Sequence, residues 1–332
     1  MRHDWLILLL YLIACTAGVN ETAVSPNNPP FGSLIFTQLA SSELDLVQYD
    51  LATATTTTLF AVPDGAWMSY AQASPDGNQL VLAYAPAPPE GEIQFGYTNL
   101  YLMLREAEAA PRLLDMAAGS GETFFDPVWS PDGRFIYYAH VLPTDDNSNG
   151  FITRLERLDN ESGEIEIIAD DAIWPRLSAD GRKLAYVFIH PTTLGNELIV
   201  ADAGGRNPIS LLPTGMFEAV DVPFFSPDGT MVYFSAAELV TAEVLPWWDR
   251  LLGLKTAVAH NLPSDWWRVP VTGGEPELVA DIDDVGLHGA FSPDGQLIAY
   301  ISSTGLYLMN PDGTDRQQLL TTTALNGLSW VP

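Results

Sequence analysis

The chain has 332 residues, of which 47% are hydrophobic and 11% aromatic, so it can bury a large core and lacks the composition of a disordered protein. It carries 42 acidic and 14 basic residues, which gives a formal net charge of −28. This balance excludes nucleic acid as a partner, because binding to phosphates requires a basic face, and it disfavours adsorption to anionic membranes.

The N-terminus has the features of an export signal. Arg2 and His3 precede an apolar run of about ten residues, too short to span a bilayer and typical of a signal-peptide core. Leu12-Ile13-Ala14-Cys15 resembles the lipobox of bacterial lipoproteins, which implies acylation of Cys15, the only cysteine. We expect residues 1–14 to be a lipoprotein signal peptide and 15–30 a flexible tether. A plain signal peptide with an unmodified cysteine is the alternative.

The next segment predicts three strands, at residues 32–36, 45–50 and 55–60, where β-branched and aromatic residues are frequent. They match the second, third and fourth strands of the units that follow along the chain. The first strand and the turn that each later unit possesses are missing here. This segment is therefore predicted to be an incomplete unit.

A box of the form Ser-Pro-Asp-Gly, each time followed by a strand, occurs five times, with Ala179 replacing the proline in the third copy. Pro fixes φ, Asp bonds its own backbone and Gly accepts positive φ, so each box predicts a tight turn between two strands. After the strand that follows each box, two further strands are predicted, as at 305–310 and 317–320. The shortest spacing, about 48 residues, fits a propeller blade of four strands. The boxes begin at Ser74, Ser130, Ser178, Ser226 and Ser292.

A long insertion, residues 236–265, follows the fourth box. A short amphipathic helix is predicted from Pro246 onward, with one apolar face formed by Trp247, Leu251, Leu254 and Val258. This face either folds back onto the rest of the chain or meets a partner or lipid. Trp247, Trp248 and Leu251 are therefore candidate partner-binding residues, since paired tryptophans favour interfaces.

The C-terminus supplies the strand that the first unit lacks. Residues 326–332 match 125–131, with Trp330 aligned to Trp129. Pairing of 328–331 with 34–37 would lock the two chain ends together and leave no open edges. The predicted fold class is therefore all-β, a six-bladed β-propeller of four-stranded antiparallel blades over residues 31–332, closed by the C-terminal strand on the N-terminal half-blade.

The repeated boxes, followed by strands such as Ile298-Ala299-Tyr300 and Tyr307-Leu308-Met309-Asn310, resemble those of the TolB-like six-bladed propellers. The resemblance extends over residues 31–332. It implies a periplasmic or surface-exposed binding module and no particular ligand. Prolyl-oligopeptidase-type enzymes contain similar boxes beside a hydrolase domain with a Gly-X-Ser-X-Gly elbow, a pentad that this sequence lacks.

Binding is expected on the face opposite the boxes. Antiparallel order places there the long loops between second and third strands and the connections between blades, and variable loops on a rigid scaffold are common binding positions. Alignment of the first strands on Trp129 gives equivalent positions at the channel mouth, occupied by Tyr70, Asp126, Trp174, Val222, His288 and Gly327. The candidate ligand-binding residues are Tyr70, Asp126, Trp174, His288, His140 and His190, the last two at the ends of second strands.

These candidates predict a polar and aromatic mouth for a peptide end, a sugar or a metal ion; a structural cap in contact with water is the alternative. Histidines from different blades lack the close spacing of a zinc site, so neither a metal nor another cofactor is expected. We expect a non-catalytic, membrane-anchored scaffold that binds a protein or peptide of the cell envelope. The alternative is an envelope lyase or glycosidase that uses Asp126 and His288 as its acid–base pair.

Overall fold

The computed structural model describes residues 30–40, 43–90, 97–106, 109–114, 121–144, 150–191, 195–238 and 262–332. The predicted signal peptide with Cys15 and the insertion residues Trp247, Trp248 and Leu251 lie outside these ranges. The described residues form 24 strands in six antiparallel sheets of four strands each. The described residues contain no helix that is long and apolar enough to cross a membrane.

The six sheets are the blades, numbered here in chain order. Blade 1 contains β24 (Thr323–Val331), β1 (Ser33–Ala40), β2 (Glu43–Asp50) and β3 (Thr55–Ala61), and blade 2 contains β4 (Trp67–Ala73), β5 (Gln79–Ala85), β6 (Asn99–Leu104) and β7 (Arg112–Leu113). Blade 3 contains β8 (Thr123–Trp129), β9 (Phe135–Pro143), β10 (Phe151–Asp159) and β11 (Ile165–Asp170). Blade 4 contains β12 (Ala172–Leu177), β13 (Lys183–Ile189), β14 (Asn196–Asp202) and β15 (Ile209–Ser210). Blade 5 contains β16 (Phe217–Phe225), β17 (Met231–Glu238), β18 (Ser264–Pro270) and β19 (Glu277–Asp284), and blade 6 contains β20 (His288–Phe291), β21 (Ile298–Ser302), β22 (Gly305–Met309) and β23 (Gln317–Thr321).

The first strand of every blade lies on the inside of the ring. Each first strand contacts the first strand of the next blade, and β20 contacts β24, so the circle is complete. Apolar side chains fill the space between neighbouring blades. Tyr70, Phe124 and Tyr138, for example, pack together between blades 2 and 3. The predicted six-bladed propeller is confirmed.

The closure of blade 1 is confirmed as well. Ser33 pairs with Val331, Leu34 with Trp330 and Phe36 with Leu328, so the pairing on β1 begins one residue earlier than predicted. The register shifts between Phe36 and Gln38. At this irregularity the Thr37 hydroxyl donates to the Asn326 carbonyl at 2.7 Å and accepts from the Asn326 N–H at 3.1 Å. A side chain thus replaces the missing ladder hydrogen bonds.

Each Ser-Pro-Asp-Gly box is held by the same internal hydrogen bonds. In blade 3 the Ser130 hydroxyl donates to Asp132 Oδ1 at 2.5 Å and accepts from the Phe135 N–H at 2.8 Å. Gly133, at φ 72°, takes the left-handed conformation that the turn requires. The Ser130 hydroxyl lowers the pKa of Asp132, so the carboxylate stays charged as a hydrogen-bond acceptor. The serine–aspartate bond recurs in all five boxes, including the box with Ala179.

Candidate functional site

The propeller has two different faces. The boxes lie on one face, here called the turn face, together with Phe31, whose carbonyl accepts from Trp330 Nε1 at 2.9 Å. The connections between second and third strands and those between blades lie on the opposite face, here called the loop face. A chain leaving the propeller before Phe31 therefore departs from the turn face.

The inner strands of several blades are bulged at the positions that the sequence alignment made equivalent. The ladder register shifts within β8, β12 and β16, and the residues there with left-handed φ are Asp126, Trp174 and Val222, at 51°, 52° and 42°. Gly327, the equivalent residue of β24, has φ 66°. Non-glycine residues adopt this conformation infrequently, and bulges redirect the side chains that they carry. Four of the six aligned positions therefore share one backbone geometry.

Three of the predicted ligand-binding residues, Tyr70, Asp126 and His288, lie close together around the channel. Tyr70 is near both of the others. The ring centroids of Tyr70 and His288 lie 5.9 Å apart, and both residues are buried. Arg176 donates to the Tyr70 hydroxyl, and its guanidinium carbon lies 5.3 Å from the centroid of the tyrosine ring. Burial raises the pKa of Tyr70; Arg176 opposes this change and the Asp126 carboxylate reinforces it. Tyr70 is therefore a neutral donor and acceptor at physiological pH.

This cluster joins four blades across the ring, because Tyr70, Asp126, Arg176 and His288 come from blades 2, 3, 4 and 6. Asp126 is also buried, and Arg176 makes a second hydrogen bond, to the Pro175 carbonyl at 2.7 Å. Sequence reasoning missed Arg176, which follows Trp174 by two residues. Arg176 is the one basic residue of β12. Its presence in this inner strand was the available signal that a cation lies near Asp126 in the channel.

Trp174 and His140 lie apart from this cluster. Trp174 packs against two apolar clusters, one that contains Ala139 of blade 3 and Ile173 of blade 4 and one that contains Ala219 of blade 5. His140 is buried within blade 3, where its Nδ1 is 3.1 Å from Glu156 Oε1 and its Nε2 is 3.2 Å from Glu122 Oε2. Phe124 stacks on the imidazole with ring centroids 4.2 Å apart. Both ring nitrogens of His140 thus already have carboxylate partners.

A metal site is not formed by these groups. Across the part of the chain that the structure describes, no three His, Cys, Asp or Glu side chains are arranged to hold a metal ion. The imidazole of His140 lies between its two carboxylates, so it bridges them itself. The cluster in blade 3 is therefore a hydrogen-bonded connection between three segments of one blade.

His190 lies at a cleft of about 370 Å³ on the loop face, between blades 4 and 5. This volume is near the lower end of the range for ligand pockets. The lining of the cleft includes the polar residues His190, Asn196 and Glu197 of blade 4 and, as an apolar wall, Met216 and Phe217. His190 Nε2 lies 2.6 Å from Glu197 Oε1.

The apolar wall of this cleft is rigidly supported. The Phe217 ring meets Trp267 at 5.0 Å and Phe234 at 5.8 Å between centroids, both in edge-to-face geometry. Leu212 and Met216 are partly exposed beside it. An apolar side chain that enters the cleft would contact this supported wall.

The charges at the cleft are acidic. Glu197 and Glu218 line it, and none of the residues lining it is a lysine or an arginine. A cationic group entering the cleft would meet Glu218 and the Glu197–His190 pair. Sequence reasoning identified His190 but missed Glu197, Met216 and Phe217. The signal available was the run Leu211-Leu212-Pro213, separated from Met216 and Phe217 by only two residues, in a connection where a polar loop is usual.

These observations define a closed six-bladed β-propeller with a cleft on its loop face. Comparison of the sequence with protein-family models and with curated proteins finds no match. Solved structures share the fold. A structure assigned to TolB of Agrobacterium tumefaciens is 18% identical, with a TM-score of 0.58, and the match covers 92% of this chain and 100% of that one.

Two further solved structures are similar. TolB from Acinetobacter baumannii is 14% identical with a TM-score of 0.60, and the match covers 91% of this chain and 67% of that one. Oligogalacturonate lyase from Vibrio parahaemolyticus is 15% identical with a TM-score of 0.51, covering 87% and 75%. At these identities the similarity establishes the propeller fold, in agreement with the resemblance to TolB-like propellers, while function has to be argued from the site.

Proposed function

We propose that this protein is a non-catalytic propeller that binds a protein or peptide of the cell envelope through the cleft between blades 4 and 5. The observation that carries the proposal is the composition of the cleft. It combines a preformed apolar wall at Met216 and Phe217 with acidic groups at Glu197 and Glu218. An unfolded or extended peptide with apolar and basic side chains is complementary to both features.

The proposal includes a membrane anchor at Cys15. The lipobox-like sequence before Cys15 is its basis, and two acyl chains would hold the protein firmly where one chain binds reversibly. Because the chain enters the propeller at Phe31 on the turn face, the tether from the anchor would attach on the face opposite the cleft. Anchoring and binding at the cleft would therefore not compete for the same surface.

The enzymatic alternative is supported by the fold shared with an oligogalacturonate lyase and by the position of Asp126 and His288, which are both near Tyr70. Binding is favoured over catalysis by the burial of both residues and by the engagement of Arg176 with Tyr70 and Pro175. A catalytic pair needs access to one pocket that also holds the substrate. The described cleft is lined by neither Asp126 nor His288.

Binding can be tested with a defined probe, the fluorescein-labelled heptapeptide Lys-Val-Lys-Val-Lys-Val-Lys, by fluorescence anisotropy. The wild-type protein should bind it saturably, and Met216→Gln should weaken binding about tenfold, since a polar amide replaces part of the apolar wall. The matched control is Ile167→Gln, at an exposed position on the outer strand of blade 3, which should bind as the wild type does. Absence of saturable binding up to about 1 mM, or equal binding by Met216→Gln, would contradict the proposal.

The anchor can be tested separately by Cys15→Ser. This variant should move from the membrane to the soluble fraction and lose labelling by a clickable fatty acid. Equal membrane retention of the variant would instead indicate an uncleaved N-terminal segment or the predicted helix of the 236–265 insertion as the anchor.

A further inference from the structure

The cleft lies beside the fourth strand of blade 4, which has only two residues, a length shared with β7 of blade 2. β15 pairs with β14 only at Ile199–Ser210 and Val200–Ile209. One more ladder hydrogen bond follows, from the Leu211 N–H to the Leu198 carbonyl at 2.9 Å. The Leu211 carbonyl then accepts from the Gly274 N–H at 3.2 Å, and the chain turns away. In blades 1, 3, 5 and 6 the fourth strand has between 5 and 8 residues.

The backbone of Asn196 faces the edge that β15 leaves uncovered. In an antiparallel sheet, successive residues direct their N–H and C=O groups to opposite edges of the strand. The Gly195 carbonyl accepts from the His190 N–H at 2.9 Å, so the Gly195 backbone faces β13. The Leu198 carbonyl faces the fourth-strand edge. Asn196, two residues before Leu198, therefore directs its N–H and C=O toward that edge, where it lines the cleft.

In blade 3 a backbone N–H from the end of the fourth strand occupies the edge that Asn196 leaves open in blade 4. By the pairing of second with third strands, Thr153 of blade 3 corresponds to Asn196 of blade 4. The Thr153 carbonyl accepts from the Asp171 N–H at 2.6 Å, directly after β11. In blade 4 the register of β14 with β15, continued past Leu211, would bring Pro213 opposite Asn196, and proline has no N–H to donate. The sequence itself thus ends the ladder and opens a strand edge into the cleft.

We infer that the partner peptide adds to this edge of β14 as an extended strand and exchanges backbone hydrogen bonds with Asn196. Strand addition takes its affinity from the main chain and its specificity from pockets for alternate side chains. Here the pockets would be the apolar wall at Met216 and Phe217 and the acidic groups at Glu197 and Glu218. The ligand class is therefore an extended segment in which apolar and basic residues alternate. This inference rests on the proposed function and adds the mode of recognition.

The test uses the Lys/Val heptapeptide with N-methyl groups on its backbone nitrogens. One version is methylated at the odd positions and the other at the even positions, so each blocks the hydrogen bonds of one edge. Strand addition predicts that one version loses affinity about tenfold or more while the other keeps most of it. Equal affinity of the two versions would overturn the inference.

A protein variant tests the same hydrogen bonds from the other side. Asn196→Pro removes the outward N–H, and because that group faces away from β13 the pairing of β13 with β14 is retained. It should weaken binding of the unmodified heptapeptide about five- to tenfold, whereas Asn196→Ala, which keeps the N–H, should bind within about twofold of wild type. If Asn196→Pro fails to fold, judged by its thermal unfolding, the two methylated peptides decide the matter.

The two proposals fail in different ways. If the wild type binds the heptapeptide and Met216→Gln weakens binding, while the methylated peptides bind alike, the cleft is the site and strand addition is wrong. If the wild type does not bind the unmodified heptapeptide at all, the proposed function itself is contradicted.

Discussion

The Thr37 hydroxyl provides the most specific test of how the ring is closed. It makes two hydrogen bonds to the backbone of Asn326, at 2.7 and 3.1 Å, and so joins residues that are 289 positions apart in sequence. Thr37 is fully buried. Thr37→Val keeps the shape of the side chain and removes both hydrogen bonds, so it tests the polar connection without creating a cavity.

The expected loss of stability follows from these two contacts. A hydrogen bond within a protein contributes about 0.5–1.5 kcal/mol to the free energy of unfolding, so losing both should cost about 1–3 kcal/mol. For roughly 300 ordered residues the entropy of unfolding corresponds to a change in Tm of about 1.5 °C per kcal/mol. Thr37→Val should therefore lower Tm by about 2–5 °C.

The assay is thermal and guanidinium unfolding followed by tryptophan fluorescence. The matched control is Thr57→Val, which makes the same chemical change at an exposed position of β3 and should leave Tm unchanged. If Thr37→Val and Thr57→Val unfold at the same temperature as the wild type, the hydroxyl does not contribute to closure and the reasoning is refuted.

Two further predictions concern the boxes and the channel. The Ser130 hydroxyl depresses the pKa of Asp132 in the folded protein, so the stability gained is complete above the ordinary value of 3.8 and is lost as the pH falls through the depressed pKa. The stability difference between wild type and Asp132→Asn, measured by guanidinium unfolding, should accordingly be larger near pH 7 than near pH 3, and a difference independent of pH would contradict this. Asp126→Asn and His288→Ala should leave any turnover of envelope polysaccharides and peptides unchanged, as measured by product chromatography; loss of a wild-type activity in both variants would favour the enzymatic alternative.

The architecture was predictable because it is repeated. Each Ser-Pro-Asp-Gly box uses local chemistry, a serine hydroxyl bound to an aspartate two residues later, that does not depend on the rest of the fold. The closing strand was predictable for the same reason, since Trp330 matches Trp129 in a known repeat. Where the pattern recurs, one sequence contains several observations of the same structural unit.

The cleft between blades 4 and 5 was not predictable in this way because it arises where the repeat is interrupted. Pro213 shortens the fourth strand of blade 4, and the consequence for Asn196 becomes visible only once the register of β14 with β15 is known. Likewise, the bulges at Asp126 and Trp174 set which side chains meet in the channel, and the meeting of Arg176 with Tyr70 depends on them. Such contacts between distant blades follow from ring geometry, which local sequence patterns do not contain.

The most direct test of the central claim is hydrogen exchange of the backbone amides with and without the unmodified Lys/Val heptapeptide. Binding at the cleft predicts slower exchange at residues 195–198 and 212–218, with no change in the turn-face segments 130–134 and 292–296. Slower exchange confined to the turn face or to the inner strands, or no change at a saturating concentration of peptide, would contradict the claim that the cleft between blades 4 and 5 is the binding site.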